Sequence, residues 1–101
     1  MKLWLDDMRP MPPGFDIATD SAKSCIRILE KETAALLSFD HDLGAPKRGT
    51  GYDVAKWIEE EAFHGRRHVV SYVIHSANTV GAKNINQAMR KAESLLKDKG
   101  K

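Results

Sequence analysis

At 101 residues, 42% hydrophobic and 30% charged, the chain has the size and mix of one globular domain, expected over residues 1–101, and not of a disordered polymer. Its formal net charge of +2 is too small for bulk binding of nucleic acid. No run reaches the roughly 18 apolar residues of a membrane span, and the single cysteine, Cys25, excludes an intramolecular disulfide.

The chain opens on MKLWLDDM, whose two acids stand where a secretion signal needs an apolar stretch. With the lone cysteine, this predicts a cytoplasmic protein without membrane attachment. Lys2 to Leu5 of the same segment reads as a first strand, followed by the stiff loop Pro10-Met11-Pro12-Pro13-Gly14. Asp16 to Thr19 is a weaker second strand. Ala22, Cys25, Ile26 and Leu29 then fall at helical spacing, with Thr19, Asp20 or Ser21 as N-cap. Ala34 to Phe39 is an apolar strand. Val54, Trp57, Ile58 and Ala62 form a second helical stripe that Gly65 ends. Val69 to Ile74 is a β-branched strand, and Ile85, Ala88, Met89, Ala92, Leu95 and Leu96 form a third helical stripe. The tail from Lys97 to Lys101 reads as a fraying helix end with Gly100 as its stop.

Strands alternating with helices predict an α/β fold with a parallel sheet and right-handed crossovers. A flavodoxin-like order 2-1-3-4, flanked by three helices, sets the first strand beside the third. Ligands in such sheets bind beyond the carboxyl ends of the strands, where the winding reverses. Asp6, Asp7, Asp40 and Asp42 fall together there. Four carboxylates at adjacent buried strand ends repel one another unless protonated or joined by a cation. Hard oxygen ligands on strand ends suit Mg²⁺ or Mn²⁺. The plainer reading makes these acids turn formers and helix caps.

His75, Ser76 and Asn78 follow the last strand and precede a helix, whose free N–H groups suit a phosphate. His41 lies among the acids, either facing the site or turned to the other face of the sheet. Arg9 can balance charge or clamp a phosphate bidentately. Lys47 and Arg48, in the segment Gly44 to Thr50, offer positive charge at the rim, as a contact to a phosphate backbone or as ordinary solvated loop charge.

In combination these strings resemble a known group. Leu5-Asp6-Asp7, Phe39-Asp40-His41-Asp42-Leu43-Gly44 and His75-Ser76-Ala77 are similar to the acidic pair, acceptor strand and hydroxyl strand of response-regulator receiver domains. The resemblance implies metal binding by Asp6 and Asp7, an acceptor-type Asp40, a metal-binding carbonyl at Asp42 and a switch-type hydroxyl at Ser76. No counterpart of the receiver's fifth strand or its phosphate-binding lysine is present, and the Pro-rich loop stands in place of the first helix.

The strings from Trp4 to Pro10, Ser38 to Gly44, Gly51 to Glu59 and His75 to Asn78 resemble more closely the cyclic-phosphate processing receiver-like domains. That resemblance implies a metal-dependent phosphoesterase acting on 2′,3′-cyclic phosphate ends of RNA or nucleotides. Asp40 and either His41 or His75 are its catalytic candidates, one histidine as general acid and the other orienting water, with Asp40 alternatively a nucleophile. The other reading is a non-enzymatic, degenerate receiver that binds metal, nucleotide or a protein partner.

Overall fold

The computed structural model describes residues 1–99; Gly100, the expected helix stop, and Lys101 lie outside the described residues. Four strands and three helices follow in the order β1 (Lys2–Leu5), β2 (Ile17–Thr19), α1 (Ala22–Lys31), β3 (Ala34–Phe39), α2 (Gly51–Phe63), β4 (Val69–Ile74) and α3 (Thr79–Lys99). A short 3₁₀ turn, Pro46–Arg48, precedes α2.

The strands form one parallel sheet in the order β2-β1-β3-β4, the expected receiver-like arrangement. Leu5 pairs with both Thr19 and Phe39, and Phe39 pairs with Ile74. The residues that continue these strands, Asp6, Asp40 and His75, therefore stand in line along one edge. The second strand is one residue shorter than expected. Asp16 stays outside it, with its carboxylate accepting from the Lys2 N–H at 2.7 Å.

Leu3, Leu5, Leu37 and Phe39 are completely buried and turn to one face of the sheet. The buried stripes of all three helices join them there, through Cys25 and Leu29, Val54 and Ile58, and Ile85, Ala88 and Ala92. Each such large side chain contributes roughly 1.5–3 kcal/mol on leaving water. Lys2, Trp4, Leu36 and Ser38 turn to the other face. Over Trp4 the Pro-rich loop lays the Phe15 ring edge-on, at 5.3 Å between centroids. No helix among the described residues is long and apolar enough to cross a membrane.

Helix starts are fixed locally. Ser21 caps α1, its hydroxyl accepting from the Ser24 N–H at 3.1 Å. Thr50 and Asp53 form a capping box at α2, each side chain accepting from the other's backbone N–H. Asn78 opens α3, its side-chain oxygen accepting from the Gly81 N–H at 2.8 Å.

Candidate functional site

Asp6, Asp7 and Asp40 each turn a carboxylate oxygen into one group, all within 4.8 Å of one another. Asp6 and Asp40 are buried and Asp7 is half-buried. The three line a cavity of about 400 Å³ at the carboxyl edge, with Met8, Arg9 and Ala77 on its wall. Asp40 is held where it is by the start of α2. A side chain on Gly51 would overlap the Asp40 carbonyl oxygen, so only glycine lets the helix begin that close.

Of the four expected acids, the structure brings three together. The carboxylate of Asp42 lines the same cavity but turns to His41 Nδ1, at 2.8 Å, and to the Asn78 amide, at 3.2 and 3.3 Å. Those two partners hold Asp42 below the usual carboxylate range. The His41 ring lies against Gly81 in the first turn of α3, where any Cβ would collide with it. Asn78 is thus a brace between α3 and the Asp42–His41 pair.

Asp6 is the most completely engaged group. Oδ1 accepts from the Met8 and Arg9 N–H groups, at 2.8 and 3.0 Å. Oδ2 accepts from His75 Nε2 at 2.9 Å and from an Arg9 guanidinium N–H at 3.3 Å. Burial pushes the Asp6 carboxyl up, but these donors outweigh it and hold it below its ordinary value. Asp40 goes the other way. Burial first, then the neighbouring Asp6 charge, raises it, against the opposing pull of the Ser76 hydroxyl, the His41 N–H and Arg9.

Like His41, His75 does not line the cavity. Its ring stacks on Trp4 at 4.0 Å between centroids and 2° between planes, and Nδ1 meets the buried Ser38 hydroxyl at 2.7 Å. Arg9 spans the strand ends, donating to the His75 carbonyl at 3.0 Å as well as to Asp6. Arg48 pairs with Asp20 at 3.0 Å, while Lys47 is exposed beside it. Ser76 accepts from the Asn78 N–H at 3.1 Å and reaches Asp40.

Sequence reasoning passed over two supporting residues, Trp4 and Ser38. The signal was alternation: Trp4 stands two residues before Asp6 and Ser38 two before Asp40, so each shares a face with an acid. A polar Ser38 inside an apolar strand marks a partner on that face.

Three converging hard oxygen donors fit a divalent cation. The like-charge repulsion that lifts Asp40 is what such an ion relieves. No curated protein and no solved structure matches the chain. The model of one family does, across residues 1–91. On that match the chain belongs to the cyclic-phosphate processing receiver domains.

Proposed function

We propose that this domain is a metal-dependent phosphoesterase that opens 2′,3′-cyclic phosphates on RNA or nucleotides. The observation that carries the reading is the Asp6–Asp7–Asp40 group on the wall of a cavity at the sheet's carboxyl edge. Mg²⁺ or Mn²⁺ held there would neutralise charge and polarise a phosphoryl oxygen.

The chain's own groups supply the rest. Arg9 is anchored through one nitrogen to Asp6 and the His75 carbonyl, and its half-exposed guanidinium has further N–H donors for the phosphate. Ser76 steadies the Asp40 carboxylate, and Asn78 braces the first turn of α3. Asp42 fixes His41 through Nδ1, which leaves Nε2 to give a proton to the departing ribose oxygen. Lys47, beside Arg48 on the segment that leaves the cavity at Gly44, suits the backbone of a longer RNA.

The test is turnover of 2′,3′-cyclic mononucleotides and cyclic-ended RNA with Mg²⁺, Mn²⁺ or chelator. Conversion to phosphomonoester that chelator abolishes is the expected result. Tight binding of nucleotide without turnover at saturating metal would replace this reading with a binding module. A phosphoryl adduct trapped on Asp40 would replace direct water attack with a covalent route.

A further inference from the structure

We infer that His75 is a positioning residue for the metal-binding carboxylate of Asp6, and that it never delivers a proton to substrate. This deepens the metal-dependent reading above and rests on it. Both ring nitrogens of His75 are committed, Nε2 to Asp6 Oδ2 at 2.9 Å and Nδ1 to Ser38 Oγ at 2.7 Å. The ring face is committed as well, parallel to the Trp4 indole at 4.0 Å. The indole is itself fixed, donating from Nε1 to the Arg9 carbonyl at 3.1 Å. An imidazole locked on three sides behind the cavity has no free nitrogen to offer a leaving group.

What it does have is control of Asp6. Four donors reach that carboxylate, the Arg9 guanidinium the most distant of them at 3.3 Å. Three of the four come from Met8 and Arg9, close by in the chain. His75 is the one that comes from across the sheet, 69 residues away, and so it ties the end of β1 to the end of β4. Ser38, on the strand between them, meets Nδ1 and fixes the ring's orientation, with Nε2 directed at Asp6. The arrangement is that of a ligand held from behind. Outer partners of this kind commonly change metal affinity about 10–100-fold when removed.

The experiment measures Mn²⁺ affinity directly, from the electron paramagnetic resonance signal of free Mn²⁺, for the whole chain and three variants. His75→Ala is expected to weaken Mn²⁺ binding about 10–100-fold, and Ser38→Ala to weaken it less. His75→Gln puts an amide N–H near the place of Nε2, so it should bind Mn²⁺ within about threefold of wild type and keep turnover. An amide cannot act as a general acid, which makes that rescue decisive. Thermal melts show whether each variant is folded; if His75→Ala is not, His75→Gln and Ser38→Ala still decide. The inference is overturned if His75→Ala binds Mn²⁺ as wild type does. It is equally overturned if His75→Gln binds normally yet loses turnover, the mark of a proton donor. A wild type that binds no Mn²⁺ removes the metal-dependent reading itself, an outcome visible before any variant is made.

Discussion

Replacing Asp40 by asparagine should make the metal-free protein more stable while abolishing its response to metal. The oxygens of Asp6 and Asp40 lie within 4.8 Å. Two unit charges at that distance repel by about 3.5 kcal/mol at an effective dielectric constant of about 20. The Ser76 hydroxyl, the His41 N–H and Arg9 offset part of this, leaving a net cost of roughly 1–2 kcal/mol. The asparagine side chain would keep the shape without the charge, and its amide oxygen still accepts hydrogen bonds. In chelator at neutral pH, D40N should therefore melt higher than wild type, by roughly 5–10 °C for a domain of this size. With Mg²⁺ at about 100 times its Kd, wild type gains about 2.7 kcal/mol, and the variant gains little because one of three ligands is gone. Melts followed by circular dichroism, with and without Mg²⁺, measure both effects. A D40N protein that melts below wild type in chelator, or that keeps the full Mg²⁺ increment, would refute the repulsive three-carboxylate group.

Three other outcomes follow from the geometry. His41→Ala should lower turnover of cyclic phosphates by roughly 10²–10⁴-fold with Mn²⁺ affinity little changed, and Asp42→Asn should lower it in the same sense; full activity in His41→Ala would remove the proton-donor role. Gly51→Ala drives a methyl group into the Asp40 carbonyl, so it should cost roughly 1–3 kcal/mol in denaturant unfolding and weaken Mn²⁺ binding together; a neutral variant would contradict the close approach. Glu61 accepts two hydrogen bonds from Arg66 and one from His68, and Arg66 foremost lowers it from 4.5 to about 2. A depressed carboxylate stabilises the fold above its unfolded value and stops doing so as pH falls from about 4.5 toward about 2. Glu61→Gln should flatten the stability profile in that window alone, as read from urea midpoints.

The strands, their order and the helix stripes were legible because burial imposes period. Leu3 and Leu5 alternate with Lys2 and Trp4, and Ile85, Ala88, Met89 and Ala92 keep helical spacing. The meeting of Asp6 and Asp40 followed from topology, since the order β2-β1-β3-β4 makes their strands neighbours. Side-chain direction past the strand ends was not legible. Asp42 and Asp40 are two residues apart, yet Asp42 leaves the acidic group because His41 and Asn78 bind it instead. Likewise nothing in His75-Ser76 announces a stack on Trp4, a contact made by strands that are not sheet neighbours, with β3 between them. Arg48 read as free rim charge, whereas a loop 28 residues earlier supplies Asp20 as its partner. The capping box of Thr50 and Asp53 was there to be read three residues apart, at the step from the 3₁₀ turn into α2.

The most direct test of metal-dependent opening at the Asp6–Asp7–Asp40 group is product analysis in oxygen-18 water. A short RNA ending in a 2′,3′-cyclic phosphate is incubated with the protein and Mg²⁺ or Mn²⁺, and the product is weighed by mass spectrometry. Addition of one water across the ring should give a phosphomonoester carrying one heavy oxygen, formed by wild type, absent in chelator and absent in D40N. Unchanged cyclic phosphate at saturating metal, from protein shown to bind that metal, would contradict the account.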